Sequence, residues 1–138
     1  MTYNTSKGEQ KLINLFRRGG INFEREVSFK DLHGDGKTLL RFDFALYQRG
    51  KLVCLVEFDG KQHFEYTPFF HKKFSDFKKQ QEWDRRKNKY CLMNKIPLIR
   101  VPYWDLEDLT LQKVLTNPDY LVKSKYHIDN LIATGVKK

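Results

Sequence analysis

Apolar positions recur along this chain with two different periods. Over residues 6–18, SKGEQKLINLFRR, Leu12, Ile13, Leu15 and Phe16 make one helical stripe, and Gly19-Gly20 supply a stop. Residues 21–29 alternate Phe23, Val27 and Phe29 with charged residues and predict a half-buried strand, and the glycine-bearing stretch from Asp31 to Lys37 predicts a loop. Arg41 to Tyr47 and Leu52 to Phe58 read as the two strands of a hairpin turning at residues 48–51. Period two puts Phe42, Phe44 and Leu46 on one side of the first strand and Arg41, Asp43, Ala45 and Tyr47 on the other. Strong helix formers over 75–93, with Ser75 as a cap, predict a long helix. A strand over 96–101, opened by Pro97, and a short helix over 106–115 complete the pattern. The elements predict an α/β protein with a mixed β-sheet of about four strands flanked by helices. A single domain over 1–138 is expected, with its core at about 6–115 and a basic C-terminal segment at 119–138.

Ionisable residues interrupt this apolar pattern at four places. Glu9 lies three, four and seven residues before Leu12, Ile13 and Phe16, so it projects from the inward side of its helix; Ser6-x-x-Glu9 is equally a capping box. Counting outward from the hairpin turn, Asp43 comes opposite residues 55–57, and Glu57 shares a face with Val53 and Leu55. Two carboxylates brought that close repel unless a cation joins them or one takes a proton, so the hairpin predicts a metal. Asp59, Lys61 and His63 continue the alternation past Glu57. On the long helix Asp84 falls midway between Phe77 and Cys91, spaced by sevens, with Gln80, Gln81, Lys87 and Asn88 beside it.

Charge sharpens the choice of partner. Among 138 residues, 26 Lys+Arg against 17 Asp+Glu leave a formal charge of +9, which favours a polyanion. Nine of the basic residues fall within positions 72–95, interleaved with Phe74, Phe77, Trp83 and Tyr90. Lys78, Lys79, Arg85, Arg86 and Lys89 are the candidates for a DNA backbone, although such a run also suits a solvated helix face. No stretch approaches the roughly 20 apolar residues that span a bilayer, and the polar N-terminus lacks a secretory core. Cys54 and Cys91, each among apolar neighbours, read as buried reduced thiols, which suits a cytoplasmic compartment. Phosphodiester hydrolysis fits these parts: oxygen ligands hold Mg²⁺, with Mn²⁺ able to substitute, and His63 carries a proton at neutral pH.

The stretches LRFDFAL (40–46), VEFDGKQHF (56–64), QQEWDRRKNKYC (80–91) and IPLIRVPYW (96–104), with the Glu9 helix, resemble the PD-(D/E)XK nuclease superfamily. Within it the chain is similar to the branch of very-short-patch-repair endonucleases and EDxHD homing endonucleases, and to small proteins of bacteriophages and large DNA viruses. The resemblance implies a restriction-endonuclease-like core and a Mg²⁺-dependent DNA endonuclease. It implies Asp43 as the metal-binding aspartate and Glu57 as the acidic residue of the second motif. Asp59 stands where the superfamily has its lysine, so the charge comes from Lys61 or the site follows the EDxHD variant, with Glu9, Asp43, His63 and Asp84 as its members. Asp43, Glu57 and Asp59 are the expected metal ligands. Zinc is not expected, because two cysteines 37 positions apart make no zinc signature.

Plainer readings stand beside each role. Asp59-Gly60 suits a simple turn, His63 a packing position, Lys61 a solvent-facing one, and Asp84 a buried ion pair with Arg41 or Arg100. His33, His71 and His127 lack motif context and are expected at the surface. The competing functions are a non-catalytic nucleic-acid-binding module and a protein-binding adaptor with the same fold. Homodimerisation would allow both DNA strands to be cut.

Overall fold

The protein is described from a computed structural model over residues 5–63 and 65–116. Helix α1 spans Lys7–Arg18 and is opened by the expected capping box: the Glu9 amide donates to Ser6 Oγ and the Ser6 amide to Glu9 Oε1, each at 3.1 Å. Strands β1 (Asn22–His33), β2 (Leu39–Gln48) and β3 (Lys51–Asp59) follow as an antiparallel meander. The β2–β3 turn is tight because Arg49 and Gly50 both take positive φ, 53° and 75°, and this twist matches that of the strands. Helix α2 (Phe74–Met93) then carries the chain back so that β4 (Leu98–Pro102) pairs parallel to β3. The result is the expected α/β fold, a mixed four-stranded sheet in the order β1-β2-β3-β4 flanked by helices.

Each face of the sheet carries its own core. On one, Leu12, Ile13 and Phe16 of α1 meet Phe44, Leu46, Cys54, Val56, Ile99 and Val101, with Val114 of α3 (Leu111–Thr116). Phe16, Phe23 and Phe44 make mutual tilted and edge contacts at 5.3–6.0 Å, each worth about 0.5–1.5 kcal/mol beyond the area buried. On the other face, Phe42, Ala45, Leu55 and Cys91 pack with Trp83 and Tyr90 of α2. Both cysteines are buried free thiols, pushed up to about 12 by that burial.

Several sequence expectations need correcting. Phe42 and Phe44 do not share a face: Phe42 packs under α2 and Phe44 under α1. Likewise Phe23 faces α1, whereas Val27 and Phe29 face α2. The alternation breaks where Glu26 takes the left-handed conformation, φ 55°, between the Arg25↔Phe44 and Val27↔Phe42 pairs that bracket Asp43. Strand β1 also runs to His33, into the expected loop. Helix α2 starts one residue before Ser75, with the Asp76 carboxylate accepting from the Lys73 amide at 3.1 Å. Pro97 precedes β4, its carbonyl accepting the Leu55 amide. The helix expected over 106–115 divides into a 3₁₀ segment, Tyr103–Asp108, and α3. The basic segment at 119–138, with His127, lies outside the described residues. Among those residues no helix is long and apolar enough to cross a membrane.

Candidate active site

Asp43 sits where the broken alternation of β1 and β2 meets the end of β3. Because Phe44 pairs with Val56, Asp43 comes beside Glu57, and its Oδ2 accepts the Phe58 amide at 2.8 Å. Burial and then the Glu57 carboxylate raise the Asp43 pKa well above the usual carboxylate range, against the opposing pull of Lys87 and the Phe58 amide. On its other side stand Glu9 and Glu26. One carboxylate oxygen from each of Glu9, Glu26 and Asp43 lies within 4.8 Å of the others, all half-buried. The Glu26 pKa is raised by burial and by Glu9, with Arg25 and Arg41 opposing. The Glu9 side chain that closes the capping box also lies beside Asp43, with Arg25 Nη2 3.6 Å away.

This gathered set differs from the expected ligands Asp43, Glu57 and Asp59; only Asp43 is common to both. Glu57 is almost fully buried and pairs with Lys87, whose Nζ reaches across from α2 to Oε1 at 2.5 Å. Burial alone would lower the Lys87 pKa, but Glu57 and Asp84 outweigh it and the net shift is upward. The cation beside Glu57 is thus Lys87 rather than Lys61. The Lys61 side chain is 62% exposed and pairs with Glu65. Distance along the chain hid Lys87, although its position on the Phe77–Asp84–Cys91 stripe was legible.

Asp59 points under α2. Its carboxylate, 1% exposed, accepts from Arg100 Nη1 at 2.8 Å, and Arg100 also donates to Asn88 Oδ1 at 2.7 Å and to the Asp84 carbonyl at 3.2 Å. Arg100 Nη2 lies 3.7 Å from Asp84 Oδ1, which is the buried ion pair considered for Asp84. Burial works against the charged guanidinium, but Asp59 and Asp84 hold its pKa above the ordinary value. Asp84 is also joined to His63, whose Nδ1 lies 2.9 Å from Asp84 Oδ2 and 3.5 Å from Asp59 Oδ1. Burial would lower the His63 pKa; Asp59 and Asp84 overcome it, and the net shift is upward.

His71 is a second correction. It is 3% exposed rather than at the surface, and its Nε2 meets Gln80 Oε1 at 2.8 Å. Its only legible trace was Gln80, a polar residue on the buried stripe of α2.

The basic candidates are mixed. Lys78 and Lys89 are exposed, with Lys78 lying over the Phe74 ring. Lys79 pairs with Asp35 at 2.7 Å, Arg85 and Arg86 with Glu82, and Arg86 also donates to the His33 and Gly34 carbonyls. Beside them a turn exposes Phe69 (88%) and Phe70, followed by Lys72 and Lys73.

No family model and no solved structure matches the chain. It is 44% identical over 114 residues to uncharacterized protein 094L of Frog virus 3 (isolate Goorha), covering 80% of this chain and 71% of that protein. The chain belongs to the family of protein 094L. Shorter stretches are similar to two further viral proteins. One is uncharacterized protein 307L of Invertebrate iridescent virus 6, at 43% identity over 53 residues, 38% of this chain and 27% of that protein. The other is uncharacterized protein 033L of Invertebrate iridescent virus 3, at 42% over 48 residues, 35% of this chain and 25% of that protein. In these two, the match spans about a quarter of the relative's length.

Proposed function

We propose that this member of the 094L family is a divalent-cation-dependent DNA endonuclease of the PD-(D/E)XK type. The observation that carries the reading is the convergence of Glu9, Glu26 and Asp43 beside a Glu57–Lys87 pair. Three carboxyl groups within 4.8 Å, two of them with raised pKa values, form a donor set whose crowding a hard cation relieves. Carboxylate oxygens of intermediate exposure suit Mg²⁺ or Mn²⁺ and offer no thiolate or imidazole nitrogen to zinc. When bound, the cation supplies Lewis acidity and a water of lowered pKa. Glu9, Glu26 and Asp43 would hold it.

The other groups have roles that follow from their contacts. Lys87 pairs with Glu57 and brings a cation next to Asp43, where an approaching phosphate adds negative charge. His63, with its Nδ1 on Asp84, can take a proton at Nε2. Glu57 and Asp59, two apart on one face of β3, link the carboxylate group to His63. The exposed Lys78 and Lys89 with Lys72 and Lys73 suit phosphates, and the Phe69-Phe70 turn suits the faces of bases.

The test is cleavage of supercoiled, linear, branched and mismatched DNA with Mg²⁺ and with EDTA, alongside Asp43→Asn. Loss of several kcal/mol of transition-state stabilisation should lower the variant's rate on the order of a hundredfold or more. DNA binding with no Mg²⁺-dependent cleavage of any substrate would replace the enzyme by a binding module, and neither binding nor cleavage would favour an adaptor.

A further inference from the structure

A single directed hydrogen-bond chain runs from the backbone of Thr67 to Asp84. The Thr67 amide donates to His71 Nδ1 at 3.0 Å, and an amide nitrogen cannot accept, so the neutral His71 ring carries its proton on Nε2. That Nε2–H then donates to Gln80 Oε1 at 2.8 Å. With its oxygen engaged, Gln80 turns its amide nitrogen to His63 Nε2, 3.4 Å away, where only a lone pair is compatible with it. The His63 proton is left on Nδ1, facing the acceptor Asp84 Oδ2 at 2.9 Å. The two ends are a pure donor and a pure acceptor, so they set the sense of all four links together. Either ring taken in its other tautomer would put two donors against each other, and a flipped Gln80 would do the same at His71.

We propose that His71, acting through Gln80, is a positioning residue that holds His63 as the Nδ1–H tautomer with Nε2 as its basic atom. This rests on the nuclease reading only for the use made of Nε2. The device itself is a property of the fold. His71 suits such a role because it is buried and stacks at 5.9 Å on Tyr66 and at 5.4 Å edge-on to Phe77, so its ring has little freedom to turn. The charged groups around His63 are Asp59, Asp84 and Arg100. They determine how readily the ring takes a second proton, whereas Gln80 is the contact at the nitrogen left to receive it. A carboxylate partner alone would leave the ring free to pivot about the Nδ1 contact. The Gln80 amide gives it a second point of attachment.

Imidazole ¹⁵N shifts of the full chain, recorded without DNA or metal and well above the ordinary histidine pKa, test this directly. In the unaltered protein His63 should show a protonated Nδ1 and a pyridine-type Nε2, and His71 the reverse. His71→Phe should replace the single His63 tautomer with a mixture. Gln80→Glu keeps an acceptor for His71 but sets a carboxylate against His63 Nε2, and should move that nitrogen toward the protonated shift. A proton on Nε2 of neutral His63 in the unaltered protein would overturn the proposal, as would His63 shifts unchanged in Gln80→Glu. The first of these outcomes needs no variant to fold. A protein that shows the expected tautomers yet cuts no DNA would sink the nuclease reading and leave the positioning role standing.

Discussion

Lys87→Met removes the ammonium that neutralises Glu57 while keeping an unbranched stem of similar length over the Phe42 ring, which lies 5.6 Å from Nζ. Glu57 is then a buried carboxylate against the Asp43 carboxyl, with no cation at 2.5 Å. Removing one partner of a buried pair costs about 3–5 kcal/mol because the other charge stays desolvated. Proton uptake sets a ceiling. Neutralising one carboxyl of ordinary pKa near 4 at pH 7 costs about 4 kcal/mol, so the pair will take a proton rather than exceed that. Asp43, already raised by burial and by Glu57, is the group best prepared to accept it. The sign follows from linkage. A carboxyl whose folded pKa lies above its unfolded one makes the folded state bind the extra proton, so stability is intact below the unfolded pKa and is lost as pH rises through the folded one. Relative to the unaltered protein, Lys87→Met should lose up to about 4 kcal/mol at pH 7 and less at pH 5, narrowing by at most about 1.4 kcal/mol per pH unit because Asp43 is already raised in the parent. Urea unfolding of both proteins across that range measures it. A cost that does not change with pH, or one below about 1 kcal/mol at pH 7, would refute the buried-pair reasoning.

Glu26→Gly relieves a left-handed residue and one of three crowded carboxylates, so it should raise the urea midpoint by the equivalent of about 1 kcal/mol while weakening Mg²⁺-dependent cleavage; a less stable variant would show that Glu26 is held there for packing alone. Gly8→Ala adds a Cβ 2.2 Å from the Phe58 ring, where α1 crosses β3, and overpacking of about 1–3 kcal/mol should exceed the roughly 1 kcal/mol gain in helix propensity. Its thermal midpoint should fall, and an unchanged or higher one would contradict that close contact.

Much of the arrangement could be read from periodicity because local rules govern it. Ser6 and Glu9 make a capping box through their spacing alone, and Phe77, Asp84 and Cys91 share a stripe because sevens nearly complete two helical turns. Counting away from the tight turn at Arg49-Gly50 brings Asp43 opposite residues 55–57, and the register shift between Leu46 and Tyr47 is what makes Glu57 its neighbour. Strand alternation then fails beside that pair. At Glu26 the backbone enters a conformation that its residue type does not advertise, and Phe42 and Phe44 turn to opposite faces. That event puts Glu26 beside Glu9 and Asp43, and no alternation pattern contains it.

The sequence by itself determined the elements, their order, the sheet's two covered faces, and the local positions of Glu9, Asp43, Glu57 and Asp84. Tertiary structure alone decided the pairings: Lys87 rather than Lys61 with Glu57, Arg100 with Asp59 and Asp84, and His71 through Gln80 with His63. Helical and strand periods say which side of an element a residue occupies. Once a charge is withdrawn from water it must find whichever partner the packing of α2 on β3 and β4 brings within about 3 Å, and that partner can stand anywhere in the chain.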